Sequence, residues 1–166
     1  MSININGRLD EQVYSVQASS GLLLTSTIGD TMYVSLKNYR KIRITIDINN
    51  GTTVTGSIIT LKQATAVAGT AEKALSFTRM LANVDVGAGQ AMTETAVVSN
   101  TFTTDTTNSK LLRYVLDVDS NTLDVANGFD CIRLDGTAHA ATAPLGFVVS
   151  YDLYGARYSG ASPLVD

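Results

Sequence analysis

The stretch from Lys41 to Ile48 constrains the fold more than any other part of this sequence, because isoleucine occupies every second position in it. Side chains of a β-strand point alternately to opposite faces, so this spacing places the isoleucines on one face and polar residues on the other. A strand with one wholly apolar face has to be covered by a second layer of structure. The sequence therefore predicts a half-buried strand in a layered β protein.

The residues after this strand predict a hairpin. Asn50 and Gly51 form the dipeptide that most strongly favours a tight turn between antiparallel strands, so a return strand is expected from Thr52 to Ala64. The apolar positions of that segment change parity beside Gly56. One extra unpaired residue at this glycine, a β-bulge, would account for the change.

Several other segments alternate in the same way, most clearly Leu111 to Val118 and Phe147 to Tyr154. In Thr31 to Lys37 the alternation directs Met32, Val34 and Leu36 inward. The remaining candidates are strands at Phe129 to Asp135, Val13 to Ala18, Lys73 to Thr78 and Ala96 to Phe102, and a short helical turn at Arg79 to Val84. Short strands separated by Gly, Asn and Ser predict an all-β fold, an antiparallel β-sandwich of the jelly-roll kind.

The chain divides into three parts. Its 166 residues suit one domain, which we place at residues 31–158. Residues 1–30 combine loop signals with the apolar run Leu22, Leu23 and Leu24, and predict an extended N-terminal arm that packs either on its own domain or on a neighbouring subunit. Residues 159–166 are predicted to form a loose C-terminal tail.

Composition limits the kinds of partner. Charged residues make up 16% of the chain, against about 25% in typical soluble domains, so much of the surface is expected to be neutral or covered by a partner. The net charge of −3 argues against general nucleic-acid binding. No apolar run approaches the roughly 18 residues of a membrane span. The first residues lack the basic and apolar regions of a secretory signal.

Motifs for catalysis, cofactors or metals are not apparent in the sequence. With one cysteine and one histidine, it offers neither an intrachain disulfide nor a cysteine-rich or histidine-rich metal site, and Cys131 is expected to be a buried thiol. Asp117, Asp119 and Asn121 resemble the start of a helix-loop-helix calcium loop, but the required Gly and Glu are missing from its sixth and twelfth positions. An Asx-rich turn is favoured, and an irregular cation site that uses Asp117, Asp119 or Asp124 stays open. We therefore expect a protein that is not an enzyme and binds no cofactor.

Basic residues cluster at the entrance to the isoleucine strand. Lys37, Arg40, Lys41 and Arg43 lie beside Tyr39, and this segment either docks an acidic partner or phosphates, or is a solvated strand entrance. Acidic residues gather later, between Asp117 and Asp135, and contacts between copies of the chain would use that asymmetry. The predicted interface residues are Leu22, Leu23, Leu24, Lys37, Tyr39, Arg40, Lys41, Arg43, Val148 and Tyr154.

Five segments together resemble small virion structural proteins of tailed bacteriophages. They are Lys37 to Lys41, Leu61 to Thr65, Lys73 to Phe77, Leu123 to Phe129 and Tyr151 to Tyr158. The resemblance implies a head decoration (cement) protein, assembled in the host cytoplasm, that binds the major capsid protein or another virion protein, often as a trimer. The alternative is a tail, collar or fibre component, including a glycan-binding module that uses tyrosine side chains for stacking.

Overall fold

The structure is a computed structural model that describes residues 13–27, 31–157 and 162–165, and of these only the backbone over 18–27 and 138–145. No α-helix occurs in these residues, and none of their helical turns is long and apolar enough to cross a bilayer. The strands are β1 (Val13–Thr27), β2 (Val34–Ser35), β3 (Lys41–Asn49), β4 (Ile58–Ala64), β5 (Lys73–Ala74), β6 (Phe77–Asn83), β7 (Thr93–Ser99), β8 (Thr101–Thr103), β9 (Leu111–Asp119), β10 (Cys131–Gly136) and β11 (Ala138–Tyr154).

These strands form two antiparallel sheets stacked as a sandwich. The larger sheet has the order β1-β11-β3-β9-β6-β7, and the smaller has the order β2-β10-β4-β5, with β8 also paired to β4. Early strands pair with late ones: β1 with β11, β2 with β10 and β3 with β9. This nested pairing is the folded double ribbon of a jelly roll, so the predicted all-β sandwich is confirmed.

The core lies between the inward faces of the two sheets. All four isoleucines of β3 are at most 2% exposed, and the alternation predicted for β9 and the end of β11 is confirmed. Each such side chain contributes roughly 1.5–3 kcal/mol by leaving water. The buried residues of these three strands are Ile42, Ile44, Ile46, Ile48, Leu112, Tyr114, Leu116, Val118, Phe147, Val149, Tyr151 and Leu153.

The hairpin predicted after β3 is wrong. β3 pairs with β11 and β9, whereas β4 lies in the opposite sheet, so the chain crosses between sheets after Asn50. Asn50 is buried and organises this crossing: its backbone N–H donates to the carbonyl of Lys110, and its side-chain amide donates to the carbonyls of Asp105 and Thr107. These contacts come from residues distant in sequence and override the local turn preference.

The crossing also replaces the predicted bulge. Gly56 lies before β4 with a φ of +78°, and a Cβ there would lie 2.9 Å from the carbonyl oxygen of Thr104. The inward-facing apolar side chains switch between even and odd positions here because the segment leaves one sheet and enters the other. Glycine is required by the left-handed backbone and the close approach of the neighbouring chain.

The edge strand beside β4 is interrupted opposite Leu61. The N–H of Leu75 donates to the Leu61 carbonyl, and the Leu61 N–H donates to the carbonyl of Asn100. β5 and β8 are thus two halves of one strand, and the chain between them leaves this sheet to add β6 and β7 to the other. The helical turn predicted at Arg79 to Val84 is wrong, because most of that segment is β6.

Within the predicted N-terminal arm, Val13–Thr27 forms the edge strand β1 and pairs with β11 of the same chain, which is one of the two packings predicted for the arm. The rest of residues 1–30 lies outside the described residues. Of the predicted tail, Pro163 is buried and its carbonyl accepts from the N–H of Ser35, so this part is docked rather than loose. Met32, predicted to point inward, is 44% exposed.

Candidate functional site

The outer face of the larger sheet carries charged residues that neutralise one another. Arg43 on β3 donates two hydrogen bonds of 2.8 Å to Asp117 on β9, and Arg113 on β9 donates bonds of 2.6 and 2.9 Å to Asp47 on β3. The hydrogen bonds from Arg43 hold the pKa of Asp117 below its usual value. Both pairs join residues that lie directly opposite each other on β3 and β9, and each side chain is about half exposed.

A second charged network lies on the outer face of the smaller sheet. Glu72 accepts from the Tyr33 hydroxyl at 2.6 Å, from Lys62 at 2.6 Å and from Arg133 at 2.5 Å, and Lys62 also contacts Asp135. Burial alone would raise the pKa of Glu72, but hydrogen bonds from Lys62 and Tyr33 and the charge of Arg133 outweigh it and lower the pKa. The network pins the 65–72 loop to the sheet.

The titratable groups are arranged for charge pairing. Among the residues that the structure describes, every resolved shift moves a pKa away from neutrality: those of the shifted Asp and Glu residues fall, and those of the shifted Lys, Arg and Tyr residues rise. General acid–base catalysis requires the reverse, a group whose pKa approaches the working pH. Buried Cys131 fits the prediction of a buried thiol.

The three candidate calcium ligands serve three separate roles. Asp117 binds Arg43, Asp119 accepts from the backbone N–H of Asn121 at 3.0 Å, and Asp124 binds Lys73. Within the ranges given above, no three Asp, Glu, His or Cys side chains are grouped as a metal site would require. This arrangement matches the predicted Asx-rich turn.

The predicted interface residues separate into different environments. Tyr39 is corrected to a core residue: it is 4% exposed and packs edge-on against Tyr14, since the chain turns inward before β3. Val148, on the outer face, is 41% exposed, and Tyr154 is half-buried. The side chains of Leu22, Leu23 and Leu24 lie outside the described residues. Arg43 is committed to Asp117.

Asp117 and Asp135 belong to the acidic segment that was predicted to contact the basic segment of another copy. They bind Arg43 and Lys62 of the same chain, so much of the complementarity predicted between copies is satisfied within one copy.

Three basic residues predicted from sequence do come together, and a fourth joins them. Lys37, Arg40 and Lys41 are exposed near the start of β3, and Arg157 reaches the same place from the segment after β11. We call these four residues the basic patch. Two adjoining concavities, of about 330 and 500 Å³, are lined by members of the patch and share a wall formed by Ser120, Asn121 and Arg157.

An apolar groove of about 580 Å³ crosses the end of the larger sheet. Leu111 and Val148 are 46% and 41% exposed in it, and Val86 of the 3-10 turn Val86–Ala88 forms one wall. Polar atoms of Asp47 and Arg113 lie at its side. Sequence reasoning selected Val148 but missed Leu111, which appeared only as the start of a strand.

The β7 edge is the second feature that sequence reasoning missed. β7 pairs with β6 on one side and is the last strand of its sheet. Val98 is fully exposed on it, and the charge of Glu94 is met by Arg79 of β6 at 3.9 Å. The signal was the adjacent pair Val97 and Val98, because one of two consecutive strand residues must point outward.

Comparison with known proteins adds one solved structure. No family model and no curated protein matches this sequence. The chain is similar to a family 11 carbohydrate-binding module from Clostridium thermocellum, solved in complex with a β-1,3-1,4-mixed-linked tetrasaccharide. Identity is 14%, the alignment covers 94% of this chain and 95% of that chain, and the TM-score is 0.27. A likeness at this level does not bear on what this chain binds.

Proposed function

We propose that this protein is a non-enzymatic structural subunit of a virus particle, a decoration protein that attaches to the capsid lattice of a tailed bacteriophage. The observation that carries the proposal is the β7 edge, a strand that pairs on one side only among the described residues and has an apolar side chain on its outer surface. Native sheets usually protect such edges with charge, proline or a covering segment. An unprotected edge is suited to binding another strand.

Attachment would proceed by strand addition. Open N–H and C=O groups of β7 bind a strand of the partner, and burial of Val98 adds an apolar contribution. Glu94 opposes this only weakly, because Arg79 lies 3.9 Å from it within the same hairpin and offsets part of its charge. Copies arranged as a ring, with a trimer favoured, would multiply one weak contact into firm attachment. Each attached copy would then have to detach before neighbouring capsid subunits could separate.

Within the described part of the chain, no resolved pKa shift brings a group towards neutrality, and this supports a role without catalysis. The shifted carboxylates and cations described above are held in their charged forms by partners in the same chain. Such pairs stiffen the outer faces of the sheets and leave binding to the edge, the apolar groove and the basic patch.

The test is co-sedimentation with empty capsids assembled from the major capsid protein of the same genome. Val98→Lys places a charge on the β7 edge and is expected to abolish pelleting with capsids, while wild type pellets. Val165→Lys is the matched control, because Val165 is 64% exposed and distant in sequence from β7. Light scattering gives the oligomer size. A wild-type monomer that never pellets with capsids would overturn the proposal.

The apolar groove favours a second candidate, a glycan-binding module of a tail or fibre. Asp47 and Arg113 provide hydrogen-bonding groups beside the apolar surface of Leu111 and Val148, a combination that suits a sugar. Binding on a glycan array that Val148→Asp removes, together with no capsid binding, would support this candidate over decoration.

A further inference from the structure

The basic side chains of the described residues fall into two groups. The chain has twelve Lys and Arg residues, of which Arg8 lies outside those residues. Seven of the others form ion pairs: Arg43, Lys62, Lys73, Arg79, Lys110, Arg113 and Arg133. The other four have no ion-pair partner among the residues that the structure describes, and they are the four members of the basic patch. Among the described residues, cations without an ion-pair partner are therefore confined to one place.

Backbone hydrogen bonds hold the patch together. The N–H of Arg40 donates to the carbonyl of Tyr154 at 3.0 Å, and the N–H of Ser120 donates to the carbonyl of Arg40 at 2.8 Å. The N–H of Arg157 donates to the carbonyl of Asn38 at 2.7 Å. Three segments distant in sequence are thus fixed side by side, and two of them carry the four cations of the patch.

We propose that the basic patch is a docking site for an acidic peptide segment of the partner to which this protein attaches, an inference that rests on the proposed function. Arg40 and Arg157 offer planar guanidinium groups that bind carboxylates with two hydrogen bonds. Lys37 and Lys41 lie in the two separate concavities, so their charges are spread along a path rather than focused on one ion. Arg157 donates to the Ser120 hydroxyl at 3.4 Å on the shared wall, and the exposed side chain of Asn121 provides a neutral hydrogen-bonding group there.

Charge complementarity favours a peptide over nucleic acid. Asp119 and Asp130 line the same concavities as the patch and interrupt the positive surface. The whole chain carries a net charge of −3, which repels a long polyanion. Spaced carboxylates of a Glu-rich or Asp-rich segment meet isolated cations without requiring a continuous basic stripe.

The experiment measures binding of a fluorescein-labelled hexaglutamate peptide to the full chain by anisotropy at low salt. Arg40→Gln and Arg157→Gln are each expected to weaken the affinity by about threefold to fivefold, the upper part of the range for one exposed ion pair. Arg79→Gln is the matched control: it removes the same charge from an exposed side chain on β6 and is expected to leave the affinity unchanged. Binding is expected to weaken as salt is raised.

Three results would overturn the inference. They are no binding by wild type, equal weakening by Arg79→Gln, and tighter binding of a hexathymidylate oligonucleotide than of the peptide. Capsid co-sedimentation keeps the two proposals apart. If Arg40→Gln/Arg157→Gln pellets with capsids as wild type does, docking through the patch is wrong while attachment through β7 stands. If peptide binding holds and no capsid is bound, the patch stands and the decoration role fails.

Discussion

Gly56 illustrates how one residue enables the chain to cross between sheets. Its φ of +78° lies in the left-handed region, and the carbonyl of Thr104 approaches where a Cβ would stand. Gly89 has a similar φ of +68°, but nothing lies within 4 Å of its absent Cβ. The two glycines therefore separate backbone strain from steric contact.

Replacing these glycines should give unequal losses of stability. Gly89→Ala is expected to lower the free energy of unfolding by about 1 kcal/mol, the cost of left-handed backbone for alanine. Gly56→Ala adds a contact with backbone and is expected to cost about 3 kcal/mol. Urea denaturation of both variants measures the difference. Equal losses would mean that the crossing relaxes freely around the new methyl group.

Tyr151 connects the two sheets from within the core. It is fully buried on β11, its hydroxyl contacts the Thr31 hydroxyl, and it accepts from the backbone N–H of Leu134 on β10 at 3.0 Å. Burial raises the pKa of Tyr151 to about 12. Because the unfolded side chain ionises near pH 10 while the folded one stays neutral, Tyr151 lowers stability as pH rises from about 10 to 12.

The alkaline behaviour of Tyr151→Phe tests this assignment. Wild type is expected to lose about 1.4 kcal/mol of unfolding free energy per pH unit over that range from this residue alone. The variant, which costs about 1 kcal/mol at neutral pH through its lost hydrogen bond, should show a shallower decline. Urea midpoints at pH 8, 10 and 11 provide the comparison, and parallel curves would contradict it.

Whole elements were predictable from sequence where a strand has one apolar and one polar face. β3 and β9 satisfy this condition, since each lies inside the larger sheet with its outer face open to solvent. β6 does not, because Arg79, Met80 and Leu81 mix exposed and buried positions beside an irregular pairing with β7. The sheet to which a strand belongs is decided by distant partners, which is why Asn50 misled the prediction.

The β6–β7 hairpin is expected to be removable without loss of the jelly roll. Deleting residues 76–100 joins Leu75 to Thr101, and the merged strand keeps its register against β4, with Phe102 still opposite Ile59. The variant should show the dispersed amide spectrum of a folded β protein and a lower Tm, because the core loses buried Met80 and Val97.

A deletion one residue shorter is the control. Deleting 76–99 retains Asn100 and adds a residue opposite Leu61, so either a bulge forms or Phe102 turns to the outer face. Its Tm is expected to fall below that of the longer deletion. A random-coil spectrum for both variants would show that the hairpin is needed for folding.

At the scale of the whole molecule, the first and last strands hold each other in place. β1 pairs with β11 along nearly its full length, and Tyr14 and Val16 pack against the core. Sequence reasoning could not choose between this packing and a neighbouring subunit, because the run of leucines in residues 1–30 suits either. The basic patch was only partly predictable from sequence. Lys37, Arg40 and Lys41 are neighbours in sequence, whereas Arg157 comes from the other end of the chain.

Truncation tests the role of β1. Removing residues 1–24 takes away most of the partner of β11 and is expected to cost more than about 2 kcal/mol, since Tyr14 and Val16 lose their apolar contacts. Removing residues 1–12 leaves β1 whole and is expected to retain more of the stability. Thermal denaturation of both truncations gives the answer, and identical Tm values would show that β1 contributes nothing.

The interrupted strand opposite Leu61 has a practical consequence for engineering. The backbone C=O of Leu61 accepts from Leu75 and its N–H donates to Asn100. The strand beside β4 is therefore fully paired, although the chain is interrupted between these two residues. Foreign loops, epitopes or small folded cargo inserted between Leu75 and Asn100 would leave the surrounding strand register undisturbed. The interruption is therefore a site at which foreign segments can be displayed on the protein.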